Sequence, residues 1–194
     1  MSQPPPNRRP NILCTNDDGI HAPGLGVLAE AARRIGSVVV VAPDREQSAT
    51  SHSLTVNRPL RVTRRDEDTH VVDGTPTDCV LIAVNSLLDI RPDFVFSGVN
   101  HGPNMGEDVL YSGTVAAAME GTILGIPSVA VSLSSRSSDN LEGFVEILAR
   151  LLRGLVERTD FPDETFFNIN LPDIPAEEIK GARITTLGRR VYSD

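Results

Sequence analysis

Apolar residues along this chain come in short unbroken runs separated by amphipathic stretches. The first run, Asn11-Ile12-Leu13-Cys14-Thr15, ends at Asn16-Asp17-Asp18-Gly19 and reads as a strand followed by a polar loop. Pro23 suits a first helical turn, and Leu25, Leu28, Ala29 and Ala32 carry a helical period that stops at Gly36. Ser37 to Ala42 is apolar without alternation, as in a strand buried on both faces of a parallel sheet. Strand, helix and strand within about thirty residues make a βαβ unit.

Pro43 to Ser53 is polar and has no period, which predicts a loop free to move. Leu60–Arg64 and His70–Val72 read as two strands joined by the charged turn 65–68, an inserted β-hairpin on the main sheet. Thr77 is a candidate cap for a helix from Asp78 to Leu88. A buried strand is predicted over 92–97, followed by a Gly/Asn-rich loop from Gly98 to Gly106. Ser112 to Leu124 is a helix of small residues, ended by Gly125 and Pro127. Ser128 to Leu133 is again a strand, and Leu141, Phe144, Val145, Leu148, Leu151, Leu152 and Leu155 mark an amphipathic helix. Phe166–Leu171 and Arg183–Leu187 are late strand candidates. Together these elements predict an α/β fold, a Rossmann-like open and mostly parallel sheet with helices on both faces. The expected layout is a flexible, proline-rich leader over 1–10 and a single α/β domain over 11–194.

Composition narrows the function classes. The 194 residues suit one domain, and no apolar run is long enough to span a membrane. A net charge of −8 argues against binding a nucleic-acid polymer through bulk charge, so any phosphate handled must be neutralised locally. Cys14 and Cys79 sit in apolar runs without a C-x-x-C partner, as expected of buried free thiols in a reducing cytoplasm. Lys180 is the single lysine, which excludes a P-loop nucleotide triphosphatase.

In an open parallel sheet, ligands bind at the carboxyl ends of the strands. Three polar clusters follow predicted strands: Asn16-Asp17-Asp18-Gly19, Asp44-Arg45-Glu46-Gln47-Ser48 and Ser97-Gly98-Val99-Asn100. A parallel sheet puts them on one rim. Adjacent carboxylates repel and call for a cation or strong N–H donors. Asp17 and Asp18 with Ser48 and Asn100 oxygens form a hard set suited to magnesium, manganese or calcium and not zinc. Taken alone, Asp-Asp-Gly is equally a turn sequence. Further on, Asn100 to Gly106 leads through Tyr111-Ser112-Gly113-Thr114 into a helix, whose N-terminal N–H groups favour phosphate. A plain helix cap is the simpler reading of Ser112.

His21, His52, His70 and His101 lack metal-ligand spacing, and His101 reads as a solvated loop residue. Gly24-Leu25-Gly26-Val27-Leu28-Ala29 fits G-x-G-x-x-A with Asp44 further on, the outline of a dinucleotide fingerprint. Its glycines fall inside the predicted helix instead of directly after the strand, which argues against that reading.

The motifs Thr-Asn-Asp-Asp-Gly-Ile-His-Ala-Pro-Gly (15–24), Val-Ala-Pro-Asp-Arg-Glu-Gln-Ser (41–48), Gly-Thr-Pro-Thr-Asp-Cys-Val (74–80), Ser-Gly-Val-Asn-His-Gly-Pro-Asn-Met-Gly (97–106) and Tyr-Ser-Gly-Thr-Val-Ala-Ala-Ala-Met-Glu-Gly (111–121), in this order, resemble the SurE family of metal-dependent nucleotidases. The resemblance implies a metal site at Asp17, Asp18, Ser48 and Asn100 and a phosphate site at Asn104, Ser112, Gly113 and Thr114. It implies one divalent cation per subunit, magnesium or manganese, with calcium a non-productive occupant. The implied reaction is hydrolysis of nucleoside 5′- and 3′-monophosphates, extending to short polyphosphate, with Asp17 the candidate catalytic residue. A direct attack by water and a covalent aspartyl-phosphate at Asp17 remain alternative routes. The resemblance implies a homodimer or homotetramer in the cytoplasm, and the 11–194 domain is expected to lack the family's C-terminal arm. A non-catalytic nucleotide-binding module with a phosphate-binding Gly/Asn loop is the alternative function.

Overall fold

A computed structural model describes residues 8–135 and 141–189. Its elements run β1 (Asn11–Thr15), α1 (Pro23–Arg33), β2 (Ser37–Pro43), β3 (Val62–Arg64), β4 (Thr69–Val72), α2 (Pro76–Ile82), β5 (Phe94–His101), α3 (Gly113–Ile123), β6 (Ser128–Leu133), α4 (Phe144–Val156) and β7 (Phe166–Leu171). Seven strands among the described residues form one sheet in the order β3-β4-β2-β1-β5-β6-β7. Every neighbouring pair is parallel except β3 with β4. The antiparallel pair is no separate layer, because β4 continues the main sheet by pairing parallel with β2.

The unbroken apolar strands account for this architecture, since they need cover on both sides. Ile12, Cys14, Phe94 and Phe96 face α1 and α4, packing against Leu25, Leu28, Leu148 and Leu152. Leu13, Val41, Val72 and Val95 face the opposite side, with Val80 of α2 and Ala117 of α3. From β1 the order runs to β2 on one side and to β5 on the other. The crevice of such a sheet lies at that reversal, between β1 and β5.

The structure differs most from the sequence reading at three elements. The helix expected over 78–88 begins at Pro76, and its cap is Thr75 instead of Thr77. Thr75 Oγ1 accepts from Asp78 N at 3.1 Å while Asp78 Oδ2 accepts from Thr75 N at 2.8 Å, a reciprocal capping box. The helix continues as a wider turn over Ala83–Leu87. The strand expected to end at Ser97 reaches His101, because a register shift at Gly98 (φ +134°) lets Asn100 and His101 pair again with Ser132 and Leu133. Arg183–Leu187 forms no strand: Ile184 is 91% exposed, with no sheet neighbour among the described residues. Residues 1–7 of the predicted leader lie outside the described residues. Arg8 pairs with Asp93 at 2.7 Å, and Pro10 O accepts from Ser37 N at 2.9 Å.

Candidate active site

The site is built on the carboxyl ends of β1 and β5. β1 is buried from Ile12 onward and delivers Asn16, Asp17 and Asp18 to the rim as the chain leaves the sheet. Asn16 Nδ2 donates to Gly19 O at 3.0 Å and closes the turn at Gly19. Asp17 is only 3% exposed. Its carboxylate accepts from the Thr114 hydroxyl at the start of α3. Burial pushes the Asp17 carboxyl up to about 6, the charge of Asp18 adds to the rise, and the Thr114 hydrogen bond opposes it.

Gly113 makes this contact possible. A Cβ there would stand 2.7 Å from Asp17 Cβ and 3.0 Å from Asp17 Oδ2, inside van der Waals contact. The first turn of α3 therefore rests directly against the buried carboxylate. Ser112 caps the helix, its Oγ accepting from Val115 N at 3.1 Å. The cap and the anion-binding turn are thus the same structure, and one reading of Ser112 does not displace the other.

Asp18 points the other way along the rim. Its Oδ2 lies 3.4 Å from both the backbone N and Nδ1 of His101. His101, read from sequence as a solvated loop residue, is instead the last residue of β5 and half-buried beside this carboxylate. Asn100 spends Nδ2 on Gly102 O at 2.8 Å, which leaves Oδ1 available as a ligand. Among the described residues neither Asp17 nor Asp18 has a lysine or arginine partner. The predicted loop 43–53 carries Ser48, whose hydroxyl is exposed and donates to Glu46 Oε1 at 2.6 Å. Its neighbour Gln47 donates its backbone N–H to Asp17 O at 2.7 Å, which ties the segment carrying Ser48 to the end of β1.

Asn104 is brought in by side chains far along the chain. Its Nδ2 donates to Ser132 Oγ at 2.8 Å, its backbone N to Asn170 Oδ1 at 2.8 Å, and its carbonyl accepts from Asn168 and Asn170. Asn168 and Asn170 went unnoticed in the sequence, although their spacing of two on β7 puts them on one face of a strand. His52 and Glu120 were also missed as a pair, and nothing in their spacing announces the contact.

A divalent cation fits this donor set. Two adjacent carboxylates without a lysine or arginine partner among the described residues, an available amide oxygen and a hydroxyl on the segment tied to Asp17 O are hard oxygen ligands. Asn16 Oδ1 is buried and has no hydrogen-bond partner beside them. Among the described residues no group of three His, Cys, Asp or Glu side chains is placed to hold a metal ion, so the candidate set depends on amide and hydroxyl oxygens beside the two carboxylates. The fingerprint glycines Gly24 and Gly26 lie inside α1, eight residues or more beyond β1, and the dinucleotide outline has no phosphate-binding turn behind it.

Comparison with known proteins identifies the family. Residues 12–194 match the family described as "Survival protein SurE". The chain is 59% identical over 186 residues to a "5′-nucleotidase SurE" of Gemmatimonas aurantiaca, covering 94% of this chain and 74% of the relative. A protein of the same name from Geotalea uraniireducens is 53% identical over 181 residues, with 93% and 73% covered. The crystal structure of the SurE protein from Aquifex aeolicus superposes with a TM-score of 0.90 at 45% identity, over 95% of this chain and 75% of that one.

Proposed function

This chain belongs to the SurE family, and from that premise and the rim geometry we propose that it is a nucleotidase, hydrolysing nucleoside 5′-monophosphates to nucleoside and inorganic phosphate. One observation carries the reading: the buried Asp17 carboxylate is hydrogen-bonded to Thr114 in the first turn of α3. Cation ligand and phosphate cradle are thereby a single contact apart. Activity on 3′-monophosphates and short polyphosphate, one magnesium or manganese ion per subunit, and a cytoplasmic homodimer or homotetramer belong to the same reading and rest on the family likeness. Among the described residues no helix is long and apolar enough to cross a membrane.

Asp17, Asp18, Ser48 and Asn100 are the residues we assign to the cation. When bound, such an ion neutralises a phosphate oxygen and makes a water more acidic. The chain's own residues supply the rest. The backbone N–H of Gly113, at the positive end of α3, is assigned to the phosphoryl oxygens, while that of Thr114 supports the Asp17 carboxylate. Gly113 lets that turn approach Asp17, and Asn104, fixed by Ser132 and Asn170, is assigned to the same phosphate. Thr114 orients the Asp17 carboxylate, which we assign as acceptor of the proton of the attacking water. Burial raises this carboxyl to about 6 in the metal-free protein, and a cation held by Asp17 and Asp18 would lower it.

The test is phosphate release from nucleoside 5′- and 3′-monophosphates with manganese or magnesium, with EDTA, and with Asp17→Asn. Metal-dependent release that falls by about a hundredfold or more in the variant supports the assignment. Full activity in Asp17→Asn removes Asp17 from the site, and binding of nucleotide without turnover under any metal favours the non-catalytic module.

A further inference from the structure

The segment between β2 and β3 starts as an irregular strap, 44–55, and its anchors are specific. Gln47 N donates to Asp17 O at 2.7 Å and Ser51 N to Tyr111 O at 3.1 Å. Thr75 Oγ1 donates to Ser53 O at 2.8 Å, and Thr55 N to Asp78 Oδ1 at 3.0 Å. His52 Nε2 meets Glu120 Oε2 at 2.7 Å. Between Ser48 and His52, Ala49 (φ +58°) and Ser51 (φ +53°) hold the left-handed conformation without being glycine. Each such residue is strained and persists only where the surroundings impose it.

The buried carboxylates show what imposes it. Among the described residues they are Asp17, Asp78 and Glu120. Asp17 is the site; the other two both tie down the strap. Asp78 holds Thr55 at its far end, and Glu120 holds His52 next to the left-handed corner. Glu120 is 6% exposed and sits in α3, the helix whose first turn holds Asp17 through Thr114. A glutamate buried among alanines and glycines is expensive to keep unless it is paired. Its pairing joins the Ser48 corner and the Asp17 carboxylate to one rigid element.

We propose that Glu120, acting through His52, is a positioning residue for the cation site: it holds the strap in the strained conformation that fixes Ser48 next to Gln47, whose backbone N–H is tied to Asp17 O. This rests on the assignment of Ser48 to the cation made above. Neither His52 nor Glu120 touches the ligand set, so their effect travels through the strap.

The test measures manganese affinity by calorimetry in the full chain, with kcat and KM for a nucleoside 5′-monophosphate alongside. The variants are Ser48→Ala, His52→Ala, the double variant, Glu120→Ala and Glu120→Gln. His52→Ala, at a half-exposed position, is expected to fold and to weaken manganese binding by about ten- to a hundredfold. The double variant is expected to be no worse than Ser48→Ala, because the pair acts through Ser48. Glu120→Gln, which keeps the volume and a hydrogen bond, should recover most of what Glu120→Ala loses. If Ser48→Ala weakens manganese binding while His52→Ala lowers only the melting temperature, the positioning role is overturned. Losses in the two single variants that simply multiply in the double also overturn it. Unchanged manganese affinity in Ser48→Ala overturns instead the cation assignment on which the proposal rests.

Discussion

Helices α3 and α4 cover opposite faces of the same sheet, eleven and thirteen residues long, and are built on opposite plans. α4 meets the sheet through Phe144, Leu148 and Leu152, all fully buried, and keeps its other face polar. α3 is lined with Gly113, Ala116, Ala117, Ala118 and Gly121, so its backbone comes close to β5 and β6. At Gly121 a Cβ would stand 2.4 Å from Ser128 Oγ and 2.9 Å from Val95 Cγ2. Large side chains bury more apolar area per turn, whereas small ones give up that area for proximity. Proximity is what sets the N-terminus of α3 against Asp17. Stability and function are thus divided between two helices that look interchangeable in a topology diagram.

Substitutions and pH test that division, beginning with the largest expected effect. Leu148→Ala should cost about 2–5 kcal/mol of stability, as a cavity at a fully buried site. Chemical denaturation measures this, and kcat of the folded enzyme at low temperature should be unchanged. A large fall in kcat would mean α4 contributes to the site.

The α3 side should show pH dependence that α4 does not. Below the ordinary carboxyl value of 3.8, Asp17 is protonated folded and unfolded, and its burial is then without electrostatic cost. As pH rises through about 6 it ionises while buried, so the metal-free protein loses stability on the order of 3 kcal/mol, with roughly half still present at pH 5. Urea unfolding in EDTA at pH 5 and 7.5 reads this, and Asp17→Asn should abolish the Asp17 share. An identical pH difference in wild type and Asp17→Asn would assign it elsewhere.

Gly113→Ala should lower kcat by about a hundredfold, because the new methyl displaces the first turn of α3 from Asp17. Steady-state kinetics with a nucleoside 5′-monophosphate checks it, and activity within threefold of wild type would show that the close contact is dispensable. The smallest effect is expected at Gly154 of α4, where a Cβ has open space. Gly154→Ala should raise stability by about 0.4–1 kcal/mol and leave turnover alone, and destabilisation there would mean that α4 is also under close steric constraint.

The sheet was legible because each strand is an unbroken apolar run that needs two covered faces, and the polar clusters directly after three such runs marked the rim. Asp17, Asp18, Asn100 and Thr114 could therefore be placed from their order alone. Local competition escaped the reading. Thr75 outcompetes Thr77 as a cap because Asp78 reciprocates its hydrogen bond, and Ile184 and Leu187 lack a sheet to join. The strap looked mobile because its holding groups, Tyr111 O, Asp78 and Glu120, are supplied from 23 to 68 residues away.

The sequence by itself determined the α/β class and the rim on which the polar clusters sit, since these follow from hydrophobic period and residue type. Tertiary structure alone decided which carboxylate is buried, how close α3 comes to it and where Ser48 and Asn104 are held. Those depend on contacts between distant segments, such as Gly113 on Asp17, His52 on Glu120 and Asn170 on Asn104. No local pattern encodes a distance across the sheet.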